Sequence, residues 1–172
     1  MAVAVASALG CQADVLLVRK LGVPWQPELA FGAIGESGIR VLNRSVLRST
    51  QLTDREIDSV TAAEEIELRR RVTMFRQVYR AIPLDDRVVV IVDDGIATGA
   101  TVIAAIDVAR SKGAARVIVA VPVAAPDSAR RVAARADEFI SPYQPPDLGS
   151  VGAVYNDFHQ LSDEEAIVTL RL

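Results

Sequence analysis

The segment VVVIVDDGIATGAT, Val88 to Thr101, constrains this chain more than any other. Its first five residues are β-branched and apolar, the pattern of a central parallel strand buried on both faces. Parallel strands need long crossovers, usually helices. The pattern therefore predicts an α/β protein with a mostly parallel central sheet flanked by helices. The strand delivers two adjacent carboxylates, Asp93 and Asp94, to its carboxyl end, the edge at which open α/β sheets bind ligands. A tight turn with Gly95 and Gly99 then leads into a helix whose first turn carries Thr98 and Thr101.

These residue types suit a phosphorylated pentose. Backbone N–H groups at a helix N-terminus, supplemented by hydroxyls, bind a phosphate dianion, and glycines let the backbone come close to it. Two carboxylates beside that site repel a second phosphate. They accept hydrogen bonds from a cis-diol, or hold the water shell of Mg²⁺. Other phosphate motifs fit worse: Ala100 follows Gly99 where a Walker A loop needs lysine, and the two glycines do not give G-x-G-x-x-G spacing. A strand ending in two acids only for solubility would not need two glycines and two threonines in the same turn.

Around this segment the chain reads as one domain over residues 1–172. Ala2 to Leu9 is a predicted helix stopped by Gly10, and Asp14 to Val18 a short buried strand. A Gly- and Pro-rich loop runs from Arg19 to about Ala30; Phe31–Glu36 and Ile39–Leu42 form a hairpin around Ser37-Gly38. Thr53 and Glu56 make a capping box for a long helix, ended by Pro83. Thr101–Lys112 and Asp127–Arg135 are helical, Arg116–Val121 and Glu138–Ser141 are strands, and Ser162 with Glu165 caps a last helix.

Composition narrows the function classes. Hydrophobic residues are 51% of the chain, enough for a real core, while aromatics are 5%. A net charge of −3 with no basic stripe argues against a nucleic-acid partner; Arg69-Arg70-Arg71 reads as a solvated helix face. The single cysteine, Cys11, excludes a disulfide framework within the chain and suits a reducing cytoplasm. No apolar run is long enough to span a membrane, and the apolar start lacks the charged region of an export signal.

VVIVDDGIATGAT is similar to the signature of type I phosphoribosyltransferases that binds 5-phosphoribosyl-1-pyrophosphate (PRPP). Taken with RKLGVP, PELAFGAIGE, AVPVAAP and VYNDFHQLSDEE, it makes the chain resemble a family of bacterial phosphoribosyltransferase domains of unknown substrate. The resemblance implies that fold with a small hood and flexible-loop region. It also implies transfer of the phosphoribosyl group from PRPP to an acceptor, with Mg²⁺ and pyrophosphate release. By resemblance, Asp93 and Asp94 bind the ribose hydroxyls and carry Mg²⁺ through water. Gly95, Ile96, Ala97, Thr98, Gly99, Ala100 and Thr101 form the PRPP loop, with Ile96 to Thr101 around the 5-phosphate. Ala97 stands where hypoxanthine-guanine enzymes carry a proton-donating aspartate, so any donor here comes from elsewhere.

Arg19 and Lys20 resemble the Arg-Lys that opens the flexible catalytic loop of adenine and orotate phosphoribosyltransferases. They would neutralise charge on departing pyrophosphate, and with Asp94 they complete the expected catalytic set. Glu28 and Glu36 are weaker acid–base candidates. Tyr155 or Phe158, in a segment resembling the hood of hypoxanthine-type enzymes, would stack on a base; Trp25 is another platform, and His159 reads as a surface residue. Relatives of this kind begin with a strand and an Arg-Gly-Gly pyrophosphate loop that should precede Met1. Their absence predicts an exposed sheet edge, and either a misplaced start codon or a shortened, weakly active relative. Fold relatives are often dimers. The alternatives are a non-catalytic PRPP or nucleotide sensor and an unrelated phosphosugar protein.

Overall fold

A computed structural model describes residues 1–159 and 161–170. The chain is α/β, built on two three-stranded sheets. Helix α1 (Ala2–Leu9) ends where Gly10 turns left-handed at φ 63°. Strands β1 (Val18–Val23), β2 (Gln26–Gly35) and β3 (Ile39–Leu42) form an antiparallel sheet in the order β1-β2-β3. Helix α2 (Arg44–Thr50), whose first amides bond to the Asn43 side chain, leads to the long α3 (Asp54–Arg76). The capping box of Thr53 and Glu56 is present.

The second half alternates as its sequence pattern requires. Strand β4 (Val88–Val92), α4 (Ala100–Ser111), β5 (Arg116–Ala120), α5 (Pro126–Ala133) and β6 (Glu138–Ile140) give a parallel sheet ordered β4-β5-β6. A 3-10 turn at Val151–Val154 and α6 (Asp163–Thr169), capped by Ser162 and Glu165, finish the chain.

Helix α4 lies between the sheets. On one side Ala104 and Val108 meet Ala33 of β2, and a Cβ on Gly35 would sit 2.6 Å from a Val108 methyl. On the other, Val102, Ile106 and Ala109 pack with Val117 and Val119 of β5 and Val132 of α5. A second core joins Leu21, Val23, Phe31 and Ile34 to Ile57, Leu68 and Phe75 of α3 and Ile167 of α6. Full burial of one such side chain contributes about 1.5–3 kcal/mol, so both sheets are anchored through their helices.

Four sequence expectations change. The region Arg19–Ala30 is not a loop: β1 and β2 pair from Val18↔Gly35 to Val23↔Gln26, with Pro24-Trp25 as a two-residue turn. The expected central sheet is therefore only half of the β-structure. Strand β4 is an edge, not a centre, and Val88 is 60% exposed. Asp14–Leu17 is not a strand: its backbone takes one bond from the sheet side, the Glu36 N–H to the Leu17 carbonyl at 3.2 Å, and regular pairing with β2 begins only at Val18. Across from the open edge of β4, a cavity of about 260 Å³ is bounded by α1 and the Gln12–Leu16 segment. The long helix ends at Arg76, well before Pro83. No helix among the described residues is long and apolar enough to cross a membrane.

Candidate functional site

The turn after β4 is shaped from both ends. Its register with the sheet continues past the strand through a parallel bridge between Ile96 and Ala124. The Ile96 N–H donates to the Val123 carbonyl (2.9 Å) and its carbonyl accepts from the Ala125 N–H (2.8 Å), while its side chain is 1% exposed. Ile96 is thus an anchor that commits both backbone groups to the β5 extension.

The next two carbonyls are drawn back into α5. Ser128 Oγ donates to the Ala97 carbonyl at 2.6 Å. Arg131 Nη2 donates to the Thr98 carbonyl and to Ser128 Oγ, both at 2.9 Å. Gly99 follows at φ 76°, a left-handed conformation that suits glycine, and opens α4. With the carbonyls occupied behind the loop, the N–H groups of Ala97, Thr98, Gly99, Ala100 and Thr101 have no protein acceptor among the described residues. Unpaired amides at the start of a twelve-residue helix form an anion cradle. A cavity of about 300 Å³, bounded by Thr98, Ala100, Ile103, Arg131 and Glu28, lies on the α4–α5 side of the loop, and Asp93 and Asp94 do not line it.

The carboxylates stand at the other end. Asp93 Oδ1 accepts the Asp94 N–H at 3.0 Å. Burial pushes the Asp93 carboxyl above its ordinary value, and the neighbouring Asp94 charge adds to this. Burial also raises Asp94, against the opposing hydrogen bond from Gly95. Both prefer a ligand that supplies protons or positive charge. Gly95 is required by close approach: a Cβ there would lie 2.7 Å from methyls of both Val123 and Val151.

Val151 belongs to the C-terminal 3-10 turn, which packs over the acidic residues. The Tyr155 hydroxyl donates to the Asp94 carbonyl. Tyr155 and Phe158 rings pack at 5.4 Å between centroids, tilted by 40°, and Phe158 is 45% exposed.

From the antiparallel sheet, Glu28 reaches the loop. Thr98 Oγ1 donates to Glu28 Oε2 at 2.9 Å, and Lys20 Nζ donates to Glu28 Oε1 at 2.8 Å. The Lys20 and Thr98 hydrogen bonds hold the Glu28 carboxyl below its ordinary value.

The structure therefore brings together Asp93, Asp94, the Gly95–Thr101 loop, Tyr155 with Phe158, and Lys20 by way of Glu28. Arg19 points elsewhere, pairing with Glu64 of α3 at 2.6 Å. Glu36 is buried under Arg76 (2.7 Å) and Lys112 (2.9 Å), at the far end of α4 from the loop. Trp25 is 60% exposed at the β1–β2 turn, and His159 faces Glu165 at 3.2 Å. Ser128 and Arg131 were not legible as site residues. Their only trace is i,i+3 spacing after Pro126, a common helix start.

A family model described as "Phosphoribosyl transferase domain" matches residues 1–147. Two Mycobacterium tuberculosis proteins, "Putative phosphoribosyl transferase Rv0571c" of strain H37Rv and "Putative phosphoribosyl transferase MT0597" of strain CDC 1551, are each 51% identical over 166 residues. The match takes in 96% of this chain but only 38% of the length of these relatives. The crystal structure of TT1426 from Thermus thermophilus superposes with a TM-score of 0.88 at 42% identity, covering 96% of this chain and 78% of that one. A cradle of free amides beside paired aspartates, the family match over most of the chain and the shared fold together show that this chain belongs to the phosphoribosyl transferase domain family.

Proposed function

We propose that the chain transfers the 5-phosphoribosyl group of PRPP to a nitrogenous acceptor. The bond from C1 of the ribose to the pyrophosphate oxygen breaks and a bond from C1 to the acceptor nitrogen forms. The nitrogen's proton passes to solvent, and pyrophosphate leaves. The observation that carries this reading is the row of unpaired amides from Ala97 to Thr101, set beside the two part-buried carboxylates of Asp93 and Asp94. Amides and the hydroxyls of Thr98 and Thr101 would hold the terminal phosphate; the carboxylates would accept the ribose hydroxyls. Lys20 is the cation best placed to meet developing negative charge, once Glu28 releases it.

Among the described residues no three His, Cys, Asp or Glu side chains cluster to hold a metal. Two carboxylates do suit Mg²⁺, which keeps several waters and takes the rest of its ligands from substrate phosphates. Asp93 and Asp94 would hold it, and when bound it supplies charge neutralisation to the pyrophosphate.

The test is calorimetry with PRPP. Asp94→Asn is expected to abolish detectable binding, and unchanged affinity would refute the assignment. A second reading, a PRPP or nucleotide sensor, is favoured by one observation: both expected pyrophosphate cations are engaged, Arg19 by Glu64 and Lys20 by Glu28. A sensor would bind PRPP yet release no pyrophosphate with any of a panel of nitrogenous bases.

A further inference from the structure

Two contacts of the C-terminal segment fall on the acidic turn. Val151 sits against Gly95 so closely that a Cβ there would lie 2.7 Å from its methyl. The Tyr155 hydroxyl donates to the Asp94 carbonyl. The segment is itself locked, because a Cβ on Gly152 would come within 2.8 Å of the Phe158 ring, and that ring packs on Tyr155.

We propose that Tyr155 is a positioning residue for ribose recognition: through the Asp94 carbonyl it fixes the Asp94–Gly95 peptide plane, and with it the Asp94 carboxylate. The proposal rests on the reading of this pocket as a ribose phosphate site. The physical reason is the local hydrogen bonding. The Asp94 N–H is already committed to Asp93 Oδ1, so the orientation of the Asp93–Asp94 peptide follows the Asp93 carboxylate. The Asp94–Gly95 peptide is held at its carbonyl by the tyrosine, and its Gly95 N–H bonds to the Asp94 carboxylate, so that carboxylate follows the plane the tyrosine sets. Loss of the hydroxyl frees that plane, and with it the Asp94 carboxylate, while the amide cradle is held separately by Ser128 and Arg131.

The two halves of the pocket can be read apart with ribose 5-phosphate and 2-deoxyribose 5-phosphate. The first offers phosphate and diol, the second phosphate with one hydroxyl missing. In the unmodified protein ribose 5-phosphate should bind more tightly. Tyr155→Phe keeps the ring against Phe158. It should weaken ribose 5-phosphate about five-fold, the effect of one net hydrogen bond, and leave 2-deoxyribose 5-phosphate within about two-fold, so that discrimination narrows. Val151→Ala, which loosens the other contact without touching the hydroxyl, should narrow it in the same direction.

Equal weakening of both sugars by Tyr155→Phe, or no weakening of either, overturns the positioning role while the pocket stands. If the unmodified protein binds both sugars equally, or neither, the pocket reading fails and takes this proposal with it.

Discussion

Replacing Glu36 by glutamine separates two roles for the same carboxylate. The sequence makes it an acid–base candidate, whereas the structure makes it the centre of a buried ion network. Its side chain is only 5% exposed and takes Arg76 Nε at 2.7 Å, Arg76 Nη2 at 2.9 Å and Lys112 Nζ at 2.9 Å. Arg76 has a further partner in Asp14 at 2.8 Å, but Lys112 has none among the described residues. Removing one member of a buried ion pair costs about 3–5 kcal/mol, because a charge is left uncompensated. Glutamine keeps an acceptor oxygen, so the low end applies, about 3 kcal/mol. For a chain of this length that lowers Tm by about 6–12 °C. The orphan is Lys112, so Glu36→Gln combined with Lys112→Met should recover part of the loss. The difference should also fade in acid. Burial pushes the Glu36 carboxyl up, but the Arg76 and Lys112 hydrogen bonds outweigh it and hold the value below 4.5. A depressed carboxylate stabilises the fold above its unfolded pKa and loses that contribution as pH falls through the folded value. Thermal melts at neutral and acid pH, with pyrophosphate release in parallel, read all of this. A Tm within about 2 °C of the parent, or abolished turnover in a protein of unchanged Tm, would refute the structural account.

Two other substitutions test the pocket. Glu28→Gln removes a carboxylate from the Thr98 hydroxyl, where a phosphate dianion must compete with it. Ribose 5-phosphate affinity by calorimetry should rise about two- to five-fold, in keeping with an exposed ion pair, and a fall would count against the competition. Asp93→Asn should stabilise the free protein while weakening ligand binding. The Asp93 carboxyl is raised above 3.8 by burial, so its folded-state charge costs stability as pH rises through that window. The amide oxygen still accepts the Asp94 N–H. Tm at neutral pH should rise by about 2–4 °C, roughly 1 kcal/mol, and a drop in Tm would contradict the burial argument.

Elements defined by local chemistry could be read from the chain; those defined by a distant partner could not. Thr53 with Glu56 and Ser162 with Glu165 cap their helices reciprocally, and Gly10 ends α1, as the residue types require. The β1–β2 hairpin was hidden by Gly22, Pro24 and Pro27, which read as loop punctuation. Gly22 is there for another reason: a Cβ would lie 2.6 Å from the Pro27 carbonyl oxygen on the facing strand. The run Val88–Val92 identified a strand, but an apolar run does not say whether a neighbour lies on both sides.

The site divides along the same line. Asp93, Asp94 and the two glycines are legible because their types state what they do to a ligand. Ser128, Arg131 and Tyr155 act through single bonds to backbone carbonyls, which any of many residues at many positions could make. Arg19 and Lys20 are the instructive case. Read as a loop, they form one cationic pair. Read as a strand, period-two alternation sends them to opposite faces, one to Glu64 of α3 and the other to Glu28 at the phosphate loop. The split follows from β1 itself, because adjacent residues of a strand cannot share a face.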